Sequence, residues 1–216
     1  MSAVLAELRA CVRGSSIARA AVVPVRLAHT RHYTAPSQAE LEEERDAFEE
    51  KVRDGERDVV RMGFPWQNIF RQNVVWGDHD QFQHVNNVHY IRWFESARME
   101  LLERMTRPLA RSLRDDFALG RNTGVILASN YCRYRRPVMY PDTVLIGQAV
   151  EVPLKRDDRF MLKSVVYSVA QQAVVAEGEH DCVMYDYNAQ RKSTFPPSFR
   201  EALEAWGRRS PEGERK

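Results

Sequence analysis

One helix-patterned run set among strand-patterned runs constrains this chain more than any other feature. Residues 87–105 carry Tyr90, Ile91, Trp93, Phe94, Ala97, Leu101 and Met105. That apolar surface is wide enough to be wrapped by a sheet. A β-branched, aromatic run at about 70–76 precedes it, and four more strand-like runs follow, at 125–134, 144–152, 160–170 and 173–185. Turn residues separate them: Pro137, Pro141-Asp142, the charged stretch 155–158 and Gln171-Gln172. The order is α+β, an antiparallel sheet with its helix on one face. A sheet this small covers the helix on one side only, so a second copy is expected to close the rest.

The flanks read differently. Residues 108–123 are expected to be a polar, flexible stretch. In 34–64, Ser37 caps a helix whose early acids suit the helix dipole. Its apolar stripe, Leu41, Phe48 and Val52, is thin, so it reads as a solvated helix or an arm lying on something. Gly63-Phe64-Pro65-Trp66 ends it, and Pro196-Pro197-Ser198 opens a last helix through Trp206 before a charged tail. The expected division is 1–33, 34–64 (charged helical extension), 65–190 (main domain) and 191–216 (C-terminal helix and tail).

A formal net charge of +2 hides an uneven distribution. Residues 1–33 hold five Arg, no Lys and a single acid, Glu7, leaving the body at −2. A near-neutral body argues against an electrostatic nucleic-acid binder. The Arg-, Ala- and Ser-rich start reads as a mitochondrial matrix targeting peptide, with Arg31-His32-Tyr33-Thr34 resembling a presequence cleavage pattern. Arg residues interrupt every apolar stretch there, which disfavours a secretory signal. No run reaches the roughly 20 apolar residues of a membrane span. Cys132 and Cys182 sit in apolar strand patterns as small core residues, and Cys11 is expected to leave with the presequence.

Chemistry concentrates in residues 76–90, Trp-Gly-Asp-His-Asp-Gln-Phe-Gln-His-Val-Asn-Asn-Val-His-Tyr. Two Asp, three His and two Asn crowd one turn between a strand and a helix, where burial penalises an unused carboxylate. The spacing of His79, His84 and His89 suits no zinc pattern. No Gly-x-Ser-x-Gly elbow or Gly-rich phosphate loop is present, and neither metal nor cofactor is expected.

These residues resemble the hotdog-fold acyl-CoA thioesterases, in the branch of 4-hydroxybenzoyl-CoA thioesterase. The match is carried by Trp76 to Gln81, His84-Val85-Asn86-Asn87, Tyr90 and Trp93 to Arg98, with a weaker block at Tyr134-Arg135-Arg136-Pro137 and Tyr140-Pro141-Asp142. It covers about 70–187 and implies a sheet wrapped around one long central helix, flanked here by helical extensions. The resemblance places the catalytic carboxylate at Asp80, as nucleophile or general base. It associates His84 and Asn86 with loop geometry and the thioester's surroundings.

Thioester hydrolysis needs a base or nucleophile and a donor for the oxyanion. The helix N-terminus supplies such donors, so the backbone N–H of Asn87 is assigned that role. Asp78 is expected to hold the loop, and Glu95 to pair with Arg92 or Arg98 at helical spacing. CoA phosphates would draw on Arg133, Arg135, Arg136, Lys155, Arg156 and Arg159 at a dimer seam, although basic strand ends also serve as solvated edges.

The resulting expectation is a mitochondrial hydrolase of acyl-CoA, a homodimer or homotetramer without a cofactor. The alternative is a non-catalytic hotdog subunit of a larger mitochondrial assembly, ribosome or respiratory complex, suggested by the appended helices. Only in a ribosome would nucleic acid be a partner. An acyl-thioester dehydratase fits less well, because that branch relies on a His with a helix acid in a different arrangement.

Overall fold

The computed structural model describes residues 35–207. Residues 1–33, expected to be a targeting peptide and including Cys11, and the tail from Ser210 lie outside the described residues. From Ala39 onward the chain forms one compact unit. Its elements are α1 (Gln38–Arg61), β1 (Ile69–Val74), α2 (Asn87–Thr106), α3 (Arg111–Leu119), β2 (Thr123–Tyr134), β3 (Asp142–Val150), β4 (Arg159–Ser168), β5 (Ala173–Asp186), β6 (Arg191–Lys192) and α4 (Pro197–Gly207). The strands run antiparallel in the order β1-β3-β4-β5-β2, with β6 on β5.

The sheet wraps α2 as its apolar width requires. Tyr90, Trp93, Phe94, Ala97, Leu101 and Met105 are all buried, the first four against Val144, Ile146 and Val166. Ile91 is the exception and stays exposed. Residues 143–148 of β3 are buried without alternation, the pattern of a strand covered on both faces. Val144 and Ile146 meet α2, while Leu145 packs beneath α1.

Of the two readings of this segment, a solvated helix or an arm lying on something, the structure shows the second. Val52, Gly55 and Val59 of α1 are buried on Leu145, Val165 and Tyr167. Glycines permit the close approach: a Cβ on Gly147 would stand 2.5 Å from Val59, and one on Gly55 would stand 2.8 Å from the Tyr167 ring. Gly55 adds nothing to an apolar count, so the stripe reads thinner than it packs. Arg71 of β1 donates twice to Glu49, at 3.0 and 3.2 Å, and lies over the Phe48 ring.

The stretch expected to be flexible contains α3. Leu113 and Phe117, four residues apart, pack into the cluster around Leu101, Met105 and Phe160, and Gly120 ends the helix in the left-handed conformation. Phe199 and Leu203 of α4 fill the centre of the same cluster. Both elements therefore close the C-terminal end of α2.

A polar line crosses the face of the sheet that α2 covers. Gln148 Nε2 donates to the Phe94 carbonyl and to Ser164 Oγ; the Ser164 hydroxyl faces His180 Nε2 at 2.8 Å; His180 Nδ1 lies 2.6 Å from Asn130 Oδ1. Gly178 makes the room, since a Cβ there would sit 2.9 Å from both His180 and Phe94. Every contact suits a neutral imidazole that donates from Nδ1 and accepts at Nε2. Burial, and next the Arg98 charge, push His180 down to about 4.

This has a pH consequence. Between about pH 6.5 and 4 the unfolded chain takes up a proton that the native state refuses. Stability is therefore expected to fall as pH drops through that window, by up to ~3 kcal/mol. Urea unfolding at pH 7 and pH 4.5, compared between wild type and His180→Gln, isolates the effect. An equal pH slope in the two proteins would refute it.

Candidate active site

The loop ahead of α2 is built on Asp78. This buried carboxylate accepts from the Val75 N–H at 2.9 Å and lies 3.3 Å from His89 Nδ1, while its carbonyl accepts from the Asn86 N–H. Two bonds tie the loop to the β2–β3 connection: Val85 N–H to the Val138 carbonyl, and Tyr140 N–H to His79 Nε2. The second sequence block thus supports the first. Each of the three histidines has a different neighbour: the Tyr140 N–H, Asp80 and Asp78.

Asp80 opens a tight turn. Its carbonyl accepts from the Gln83 N–H, and Gln83 takes the left-handed conformation at φ 63°. Oδ1 accepts from the Phe82 N–H at 2.8 Å and stands 4.0 Å from His84 Nδ1. No hydrogen-bond partner for Oδ2 occurs among the described residues, and the side chain is 20% exposed. One oxygen is thus fixed and the other is free to act on a ligand.

Asn86 caps α2. Its Oδ1 accepts from the Val88 N–H at 3.1 Å and its carbonyl from the His89 N–H. The Asn87 N–H has no acceptor among the described residues, and its carbonyl accepts from the Tyr134 hydroxyl at 3.2 Å. A depression of about 270 Å³ opens here, lined by His84, Asn87, Tyr90, Tyr134, Arg135 and Arg136 together with Val85 and Pro137. Asp80 is not a lining residue; its Oδ1 lies 4.0 Å from Nδ1 of His84, which is.

Tyr90 and Tyr134 meet edge to face at 5.1 Å, and burial raises both hydroxyls to about 12, so they stay protonated at neutral pH. Tyr134 was visible in the sequence only as a motif letter.

The candidate CoA cations do not form one group. Arg135 and Arg136 line the depression, with Arg135 paired to Glu177, and Arg133 is exposed on β2. Lys155 and Arg156 sit in the β3–β4 loop, bound to Glu151 and Asp158, and Arg159 pairs with Asp181. The two sets occupy opposite ends of β3, roughly 27 Å apart at strand rise. No single phosphate of a CoA reaches both sets of one protomer. Glu95 also departs from expectation: it is exposed and forms no ion pair with Arg92 or Arg98.

The family model of the thioesterase-like superfamily matches residues 74–203, more than half of the chain. The chain belongs to that superfamily. The match extends past residue 187, where the motif resemblance ends, and takes in most of α4. Solved structures agree on the fold. A 1,4-dihydroxy-2-naphthoyl-CoA thioesterase from Synechocystis aligns at 15% identity with a TM-score of 0.53, over 62% of this chain and 93% of its own. A probable thioesterase from Escherichia coli aligns at 24% identity and 0.53, over 65% and 98%. A Staphylococcus aureus protein solved with CoA aligns at 14% and 0.56, over 66% and 85%. These superfamily likenesses establish the hotdog arrangement of sheet and central helix. No curated protein matches the chain.

Proposed function

We propose that the protein is an acyl-CoA thioesterase, hydrolysing an acyl-CoA to free acid and CoA. The observation that carries this reading is that one short loop holds both a half-buried, half-engaged Asp80 carboxylate and, at the mouth of α2, an unoccupied Asn87 N–H. A thioester carbonyl seated in the depression would direct its oxygen at that N–H, where the helix dipole favours negative charge. Asp80 then either draws a proton from the attacking water or attacks the carbonyl carbon itself. In the first case the thiolate leaves and water's oxygen ends in the acid. In the second, a mixed anhydride forms and water cleaves it, restoring the carboxylate. Neutral Tyr134 fixes the helix entrance through the Asn87 carbonyl. Release of free thiol from a panel of acyl-CoAs tests the activity, and no release from any member would defeat it.

The appended helices that suggested a recruited scaffold are spent on the protein's own core. The C-terminal half of α1 covers the sheet and α4 fills the end of the wrap.

A homodimer accompanies this reading. The twelve-residue β2 is an edge strand, and Leu127, Tyr131 and Tyr134 on it are exposed, as are Val88, Ile91 and Met99 of α2. Long edges with apolar side chains invite pairing with a second copy. Light scattering that returns a monomer mass at micromolar concentration would refute it. The matrix location rests on the composition of residues 1–33, and intact-mass measurement of the mature N-terminus checks it.

A further inference from the structure

Arg98 is the one buried cation among the described residues, at 8% exposure. It sits on α2 with no hydrogen-bond acceptor and no carboxylate within ion-pair distance among them. Its stem is buried in the fold, and its guanidinium meets no carboxylate there, so the charge is available to an anionic ligand. Arg98 lines a groove of about 930 Å³ between α2, α3 and the start of β2. Its apolar walls come from Met99, Leu102, Phe117, Val125 and Leu127. Glu100 and Glu103 are neutralised by Arg104 and Arg107, while Arg114 has no ion-pair partner among the described residues. The single uncommitted acid, Glu95, also lines the groove, one turn before Arg98, and offsets one of the two remaining cations. The groove thus combines a long apolar wall with unneutralised positive charge.

Its position relates it to the thioester end. β2 lies beside α2, with Tyr134 at Asn87 and Leu127 in the groove, so the groove lies further along the seam that starts at the depression. Asn87 and Arg98 are separated by about 16 Å of helix at α-helical rise. An extended acyl chain with its carbonyl at the helix entrance would place its far end beside Arg98.

We propose that this groove binds an apolar chain ending in a carboxylate, with Arg98 as the residue that pairs with that carboxylate. The substrate class that follows is the ω-carboxyacyl-CoA, and this assignment rests on the thioesterase reading. A monoacyl chain leaves Arg98 unpaired, whereas a second carboxylate accepts a charge-assisted, bidentate bond from it.

The test compares dodecanedioyl-CoA with dodecanoyl-CoA in kcat/KM, for wild type, Arg98→Met and Arg98→Lys. It adds direct calorimetric binding of dodecanedioate and of dodecanoate to the same proteins. Wild type is expected to favour the diacid thioester about tenfold or more. Arg98→Met is expected to bring the diacid-to-monoacid ratio of kcat/KM to near one, and Arg98→Lys to fall between. Arg98 makes no ion pair among the described residues, so Arg98→Met is expected to preserve folding, which the thermal midpoint verifies. If neither thioester is cleaved but carboxylate binding depends on Arg98, the thioesterase reading fails and the groove assignment stands. Arg98-dependent binding of dodecanoate without diacid preference keeps the site and makes a free fatty acid its ligand. Equal turnover of the two thioesters, with carboxylate binding unchanged in Arg98→Met, overturns the proposal.

Discussion

Replacing Asp80 with Asn is expected to lower kcat/KM for acyl-CoA hydrolysis by about 10²–10⁴-fold, the range for loss of a positioned proton-transfer group. Thermal stability is expected to stay near wild type. The amide retains a carbonyl oxygen that can accept the Phe82 N–H at the position Oδ1 now holds, so the turn keeps its bond. What Asn cannot do is take a proton from water or form an anhydride. Asp80→Ala separates the two contributions, because it removes the turn bond along with the chemistry. The measurement is initial-rate thiol release with the best acyl-CoA of the panel, alongside a thermal melt. Activity within threefold of wild type in a folded Asp80→Asn protein would exclude this carboxylate from the reaction.

The sequence made the central helix plain because Tyr90, Trp93, Phe94 and Ala97 recur at helical spacing with strands on either side, and only wrapping satisfies such a surface. The placing of Asp80 and Asn87 in a turn between strand and helix was equally legible, since that turn is local. Features that depend on which elements later meet were not. Leu113 and Phe117 sit among Arg and Asp in nine residues, so α3 reads as polar until Phe199 arrives beside it at 4.5 Å. Arg98 lies three residues after Glu95 and resembles half of a surface pair; its burial comes from the wrap, not from its neighbours in sequence. His180 could have been placed inward by alternation next to Gly178, but its partners Ser164 and Asn130 lie on two other strands. The basic residues divided for the same reason, because charge alone does not tell which end of β3 a loop joins.

The appended helix α4 supplies the largest expected effect on stability. Phe199 is fully buried, with its ring 4.5 Å from Phe117, 6.1 Å from Phe195 and 6.5 Å from Phe160. These rings come from α3, the approach to α4, and β4, so one side chain joins three segments. Phe199→Ala is expected to cost about 3–5 kcal/mol, the usual range for truncating a buried aromatic. The cavity cannot collapse easily, because Leu101 and Met105 on one side are held by the rigid axis of α2. Chemical denaturation gives the free energy, and hydrogen exchange reads its location. Protection is expected to fall first in 111–119 and 197–207, while β3 and β4, sandwiched between α1 and α2, keep theirs. The loop that carries Asp80 lies at the opposite end of α2, so native-state turnover at low temperature is expected to survive within about threefold. A loss below 1 kcal/mol, or loss of protection beginning in β3, would show that α4 is an ornament on the wrap and not its closure.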